Sequence, residues 1–443
     1  MNSKGTSVKV DRARATAFKI LSDVYINKAY SNTALSRGLD STENLTGVDR
    51  AFITELVYST LRHSLSLDCI IKQFSSLKGN KISGQAMIIL RMGLAQVFFM
   101  DKVPQSAACN ESVKLAGKYG HEGVKRFVNG ILRNVLRKTE GDIGRIEFSS
   151  WFEEYGYQKW MADEFVRDYG VETAKRIMSA DSLPQPFSIR VNRLRTGREE
   201  LKSSLEDSGF EVSNSEFSED ALILNKPSSI TLIKQFQDGL FYVQGESSMQ
   251  AVRLLGAKPG NKVLDLCSAP GGKTTHIAEI MENQGEIVAG DIYTNKLERI
   301  KENSKRLGIK IIKPVLHDAT VYNEEFCEGF DCVLADVPCS GTGVIRSRPE
   351  IKFIRTEEEV SELLKIQENI LKNAVRYIKP GGVLVYSTCS ILKRENICQV
   401  SKLLENTDDI CLGDAGMCEM YPQDGRDGFF MAQMIKVREE IND

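Results

Sequence analysis

Apolar residues recur at helical spacing from about residue 8 to about residue 138, and no alternating β-branched run interrupts them. Phe52, Leu56, Val57 and Leu61 are one such set. The clearest helix spans Val124 to Lys138, where Phe127, Val128, Ile131, Leu132, Val135 and Leu136 form a stripe of period ~3.6. Arg126, Arg133 and Arg137 fall together on a different face, because their offsets nearly close whole turns, and Lys125 and Lys138 add to a locally basic helix. Met87 to Met100 is the most apolar run; Arg91 and Gln96 break it and it is short for a bilayer, so a helix buried in a bundle is expected. Beyond about residue 140 a helical stretch around Trp151 to Met178 leads to the rigid break Leu183-Pro184-Gln185-Pro186. Phe187 to Asn192 then alternates like a strand, Arg198 to Ser208 reads as a helix before Gly209, and Ala221 to Leu224 and Leu240 to Val243 are further strands. From about residue 245 strands and helices alternate: Lys262 to Leu266, Gly285 to Asp291, Ile311 to Leu316, Phe330 to Ala335 and Gly382 to Tyr386 are the strands. That order predicts an open parallel sheet with helices on both faces.

Three parts follow, with bounds at about 1–140 (all-α), about 141–244 (linker helices and a small α+β subdomain) and about 245–443 (α/β). A chain of 443 residues is too long for one compact core, which agrees. The net charge of −2 gives no overall attraction to nucleic acid, so any phosphate contact needs Lys and Arg gathered on one surface. Met1 to Gly5 lacks the apolar run of a signal peptide, which predicts a cytoplasmic protein. The ten cysteines form no C-x-x-C pair and the four histidines no H-x-x-x-H, so neither structural zinc nor a disulfide framework is expected.

The first strand of the α/β part runs into Cys267-Ser268-Ala269-Pro270-Gly271-Gly272-Lys273-Thr274, which opens a helix. Ligands of open α/β sheets sit at the carboxyl ends of the strands, so this loop is the expected cofactor site. Three nucleotide readings compete: a Walker loop, which Gly272-Lys273-Thr274 fits but for Cys267 in place of its first glycine; a dinucleotide loop, whose G-x-G-x-x-G Gly271-Gly272 does not supply; and a nucleoside without phosphates. Asp291, Asp318 and Asp336 follow three successive strands. Such carboxylates suit hydroxyls, an adenine amino group and a sulfonium and would repel a pyrophosphate, so a nucleoside cofactor such as S-adenosylmethionine is favoured. Cys339, in Asp336-Val337-Pro338-Cys339-Ser340-Gly341-Thr342-Gly343, and Cys389, in Ser387-Thr388-Cys389-Ser390, stand just past the ends of two further strands on the same side. That placement separates them from cysteines that simply fill a core.

These three motifs together resemble the RNA (cytosine-5)-methyltransferase family; Val337 stands where the family usually has Ala. Phe187 to Asn192 is similar to the family's preceding motif, Asp427 to Ala432 to its closing strand, and the helical part, with Phe127-Val128-Asn129-Gly130-Ile131-Leu132-Arg133, to NusB-like RNA-binding domains. The whole resembles bacterial small-subunit rRNA methyltransferases of the RsmB type. The resemblance implies a NusB-like domain, an α+β middle and a Rossmann-like methyltransferase domain. It implies S-adenosylmethionine held by Cys267 to Lys273 with Asp291, Asp318 and Asp336. It implies Cys389 as nucleophile at cytosine carbon 6, Cys339 in product release, Asp336 at the N3 and amino edge, and Lys273 either on the cofactor or on Asp336. The expected partner is RNA, 16S rRNA before full subunit assembly, and the expected state a monomer without metal. Arg346, Arg348, Lys352, Arg190 and Asn192, with Arg126, Arg133 and Arg137, are the expected phosphate contacts. A DNA (cytosine-5)-methyltransferase would need no second cysteine, and a zinc deaminase would need Cys at Thr342. Another RNA as substrate, or an assembly or antitermination factor with a silent methyltransferase domain, remain the alternatives.

Overall fold

The computed structural model describes residues 10–75, 82–183, 185–225, 230–422 and 426–438; Met1 to Gly5 and Pro184 lie outside the described residues. The chain forms two compact units, Met1–Leu183 with Ile345–Arg355, and Pro184–Val344 with Thr356–Asp443.

The first unit is helical and has one apolar core. Helix Glu122–Thr139 buries Val128, Ile131, Leu132 and Val135, the stripe read from the sequence. Helix Gly84–Phe99 is buried nearly all round, as a helix without a polar face must be. Its two polar interruptions are satisfied internally: Arg91 makes a two-bonded ion pair with Asp68 at 2.7 Å, and Gln96 donates to the Met92 carbonyl. No helix among the described residues is long and apolar enough to cross a membrane. The helical stretch expected around Trp151 to Met178 consists of three helices, Trp151–Glu154, Lys159–Tyr169 and Val171–Ala180. Gly156 (φ +70°) and Gly170 (φ +78°) take left-handed conformations there and reverse the chain.

The segment Ile345–Arg355 belongs to this first unit although it follows directly on the Cys339 loop. Phe353 stacks on Tyr25 with ring centroids 5.1 Å apart. The Ser31 N–H donates to Glu350 Oε1 at 3.1 Å. Lys352 is buried, donates to the Arg62 and Tyr155 carbonyls and lies over the Tyr157 ring; burial pulls its ammonium down to about 8.

The second unit holds two sheets. Strands β1 (Phe187–Val191), β2 (Val212–Asn214), β3 (Ala221–Leu224) and β4 (Phe241–Val243) form an antiparallel sheet in the order β2-β3-β1-β4. The larger sheet comprises β5 (Lys262–Asp265), β6 (Glu286–Asp291), β7 (Ile312–Leu316), β8 (Phe330–Asp336), β9 (Ile378–Thr388), β10 (Ile410–Met420) and β11 (Phe429–Lys436), in the order β10-β11-β9-β8-β5-β6-β7. β9, β8, β5, β6 and β7 run parallel, whereas β11 pairs antiparallel with β9 and β10 with β11. The sheet is therefore mixed, not wholly parallel as expected. β10 escaped the pattern because Gly413 and Gly416 interrupt it, its register shifts between Leu412 and Met417, and it is largely exposed at the sheet edge. The order β9-β8-β5 sets the ends of three strands side by side, with Asp336 opposite Ser387.

Candidate active site

Asp265 ends β5, and the chain then turns through Cys267 to Gly271. Ser268 anchors this turn, its N–H and Oγ both donating to the Gly290 carbonyl at 2.9 Å. Gly271 (φ +101°) closes the turn and starts helix Gly272–Ile280; a side chain there would be strained. A cavity of about 230 Å³ opens beside the loop, lined by Cys267, Ser268, Ala269, Pro270, Gly272 and Lys273, by Asp265 and Asp336, and by Tyr242 and Gln244 across from them. A β-carbon on Gly272 would come within 3.2 Å of the Tyr242 ring.

Lys273 Nζ donates to Asp336 Oδ2 at 2.7 Å, one of its two expected contacts, and the lysine also lines the cavity. Ser387 Oγ donates to Asp336 Oδ1 at 2.8 Å, which fixes both oxygens of that carboxylate. Cys339 Sγ and Cys389 Sγ lie 3.2 Å apart, both partly buried. The Cys339 thiol is pushed well above its ordinary range by its hydrogen bond to Cys389, by burial, and by the charges of Cys389 and Glu395.

Asp291 and Asp318 stand outside the cavity lining. Asp291 is buried at the end of β6, with Oδ1 accepting from the Tyr293 N–H at 3.0 Å. Asp318 is exposed, with Oδ1 accepting from the N–H and Oγ1 of Thr320.

Two residues near the loop had no role assigned from the sequence. They are Ser387, beside the second cysteine, and Asp265, which closes β5 as Asp336 closes β8; that parallel is the sequence signal for Asp265. Its Oδ2 accepts from Thr274 Oγ1 at 2.7 Å, while its buried Oδ1 has no hydrogen-bond partner. Burial pushes the carboxyl up to about 7, and the charge of Asp336 adds to the rise. Since the folded value lies above the unfolded one, the stability this group lends is complete below about pH 4 and disappears as pH rises through about 7. Asp265→Asn, a mimic of the protonated acid, should gain thermal stability relative to the parent between pH 5 and pH 8 by several degrees (about 2–4 °C per kcal/mol in a domain this size). Melting curves of both proteins at each pH check this; a difference constant with pH would contradict it.

Of the expected phosphate contacts, Arg126, Arg133, Arg137 and Arg348 are exposed, the first three together on helix Glu122–Thr139. Four others are not available to RNA: Arg190, Asn192, Arg346 and Lys352 are buried. Arg190 is 0% exposed. It donates to Glu279 Oε2 and Oε1 at 3.0 and 2.8 Å, to the Gly272 carbonyl at 2.7 Å, to Thr275 Oγ1 at 3.0 Å and to Gln244 Oε1. Asn192 Nδ2 donates to the Gly239 and Leu307 carbonyls. The expectation failed because both faces of β1 are covered: Ile189 and Val191 face the small core, and Arg190 on the other face meets helix Gly272–Ile280. Arg190 braces the start of the helix after the cofactor loop instead of reaching outward.

Comparison with known proteins agrees with this geometry. Residues 252–435 match the family described as 16S rRNA methyltransferase RsmB/F, residues 11–137 the NusB family, and residues 157–231 an RsmF/B-like ferredoxin-like domain. A probable ribosomal RNA small subunit methyltransferase B of Bacillus subtilis (strain 168) is 35% identical, over 97% of this chain and 100% of that one. Ribosomal RNA small subunit methyltransferase B of Klebsiella pneumoniae (strain 342) is 34% identical, over 88% and 91%. Among solved structures, PH0851 superposes with a TM-score of 0.83 at 27% identity, over 96% of this chain and 98% of that one. NSun6 from Pyrococcus horikoshii, in a structure with SFG, gives a TM-score of 0.58 at 25% identity, over 64% and 100%.

Proposed function

Because the chain belongs to the RsmB/F family of 16S rRNA methyltransferases, we propose that this S-adenosylmethionine-dependent RNA methyltransferase modifies carbon 5 of a cytidine in 16S rRNA. Its nucleophile is Cys389, and Cys339 serves product release. The observation that carries this reading is the pair of sulfurs 3.2 Å apart beside the Lys273–Asp336 pair.

The cavity fits the cofactor: its floor is a glycine loop without a phosphate cradle, and its wall carries two carboxylates, one with a buried oxygen lacking a partner. Cys267 to Gly272, Asp265 and Asp336 would hold the cofactor, with Asp291 at the end of the neighbouring strand. Bound there, S-adenosylmethionine supplies a methyl group on an electron-poor sulfonium. Carbon 5 of cytosine is too weak a nucleophile to take that methyl unaided. The Cys389 thiolate adds to carbon 6, forming the S–C6 bond and driving the C5–C6 electron pair onto carbon 5. Cys339 shares a hydrogen bond with the attacking sulfur, and the positive charge of Lys273 also acts on Cys389. Asp336, held by Lys273 and Ser387, meets the N3 and amino edge of the base. After transfer, carbon 5 carries both a methyl and a proton. Once Cys389 is a thioether, its charge no longer raises the Cys339 thiol; Cys339 gives up its own proton to solvent and, as a thiolate, takes the proton from carbon 5. The C–H pair then re-forms C5=C6 and the S–C6 bond breaks, returning a thiolate to Cys389.

The target base must leave its stack to reach these sulfurs, which favours 16S rRNA before full subunit assembly. The basic face of Arg126, Arg133 and Arg137 on the NusB-like part provides phosphate contacts. All the residues given a role belong to one chain, which supports action as a monomer, and an rRNA substrate supports a cytoplasmic location.

Incubation with 16S rRNA and radiolabelled S-adenosylmethionine should yield labelled 5-methylcytidine on nucleoside chromatography. The Cys339→Ala variant should accumulate a denaturant-stable protein–RNA adduct, because addition proceeds and release does not. Label in any other nucleoside, or no adduct from a folded Cys339→Ala protein, would reject the assignment.

A further inference from the structure

The catalytic loops after β8 and β9 meet on a third group that touches neither cofactor cavity nor solvent. Glu395 lies in a short turn, Lys393–Glu395, beyond the Cys389 loop, and is 0% exposed. Its carboxylate takes four hydrogen bonds. Oε1 accepts from the Ser340 N–H at 2.8 Å and from Gln367 Nε2 at 2.9 Å. Oε2 accepts from Ser340 Oγ and from Ser390 Oγ, each at 2.5 Å. Ser340 follows Cys339 and Ser390 follows Cys389, so one carboxylate holds the residue after each cysteine. Gln367 Nε2 also donates to the Pro338 carbonyl at 2.9 Å, which fixes the residue before Cys339. Thr342 Oγ1 lies 3.1 Å from Ser390 Oγ and closes the same network.

A buried carboxylate is expensive unless its lone pairs are satisfied, and this one is satisfied chiefly by the residues that flank the two sulfurs. Hydroxyl-to-carboxylate bonds are short and among the stronger hydrogen bonds in proteins. We propose that Glu395 is a positioning residue for the reaction: its carboxylate ties the Cys339 and Cys389 loops together and sets the 3.2 Å separation of their sulfurs. Its importance for turnover rests on the two-cysteine mechanism above, whereas the geometry it imposes does not. Loss of the clamp lets the loops part, so that the proton shared between the sulfurs is no longer held in place. Glu395 is too deeply buried to contact RNA or cofactor, so its removal should act on kcat and not on KM.

The test reads the sulfur geometry directly. Diamide takes two electrons and two protons from a pair of neighbouring thiols and leaves a disulfide, and peptide mass mapping counts the Cys339–Cys389 cross-link against time. In the whole parent protein this bond should form readily. In Glu395→Gln, which keeps the volume but loses the charge, and in Glu395→Ala, it should form at least tenfold more slowly. The kcat for 16S rRNA should fall at least tenfold, with KM for S-adenosylmethionine unchanged within twofold. Ser390→Ala, which deletes a single donor, is the milder variant should the others not fold, and slower cross-linking is expected there too. Cross-linking at the parental rate in a folded Glu395→Gln or Ser390→Ala protein overturns the proposal, and so does slow cross-linking with an undiminished kcat. A failure of the two-cysteine mechanism shows separately, as full activity of Cys389→Ala with the cross-link rates still ordered by the clamp.

Discussion

Replacing Cys389 by alanine should lower methyl transfer to 16S rRNA by at least about a thousandfold, equivalent to about 4 kcal/mol of barrier at ~1.36 kcal/mol per tenfold. Without the sulfur no covalent bond to carbon 6 can form, and carbon 5 stays an unreactive vinylic carbon. The substitution removes one partly exposed side chain at the end of β9 and leaves untouched the hydrogen bonds of Asp336 and of the glycine loop. The folded structure and the affinity for S-adenosylmethionine should therefore remain. Single-turnover transfer of a labelled methyl group, with cofactor binding measured in parallel, separates the two effects. Cys389→Ser should fare little better, because an alcohol gives up its proton far less readily than a thiol. If Cys389→Ala kept full activity while Cys339→Ala lost it without an adduct, the roles of the two cysteines would be exchanged.

The second large effect is on stability. Arg190→Ala should destabilise the protein by about 3–5 kcal/mol, the usual consequence of removing one partner of a buried ion pair. Glu279 would be left nearly fully buried without its ion-paired partner, with only the weaker influence of Arg193. Burial already raises its carboxyl above the usual range, and Arg190 is the main opposing influence. The same change frees the Gly272 carbonyl and Thr275, both in the first turn of the helix that follows the glycine loop, so cofactor affinity should fall together with the denaturation midpoint. Denaturant titration and calorimetric cofactor binding read both. An apolar pair, Arg190→Met with Glu279→Leu, should recover much of the stability, since the desolvation of both charges disappears together. A drop in RNA affinity with normal stability would instead return Arg190 to the RNA surface.

The element pattern of the helical part was legible because each helix carries its own period. The stripe from Phe127 to Leu136 needs only a core on one side, whatever that core is. The parallel strands β5, β6, β7 and β8 were equally legible, as short apolar runs ending in turn residues. β10 was not, since an exposed edge strand with two internal glycines obeys no burial alternation. Nor was the place of Ile345–Arg355, whose residues look like a basic loop after a catalytic motif. Lys352 and Arg346 are cations, and cations are read as solvated unless a partner is known; for Lys352 the partners are carbonyls and a ring far away in sequence.

Cys339, Cys389, Asp336 and Lys273 were recoverable from the chain alone, because each lies within a few residues of a strand end and strand ends converge on one edge of an α/β sheet. Local sequence determined that much: the helical part, the succession of parallel strands along the chain, and the residue types at their ends. Tertiary structure alone decided the distances and the company these residues keep. The 3.2 Å between the two sulfurs, the two anchors on Asp336, the lone oxygen of Asp265 and the carboxylate of Glu395 behind both cysteines all depend on contacts between distant segments. The same is true of Arg190. Its charge is written in the sequence, but whether that charge meets RNA or a buried glutamate is set by which helix covers the other face of its strand.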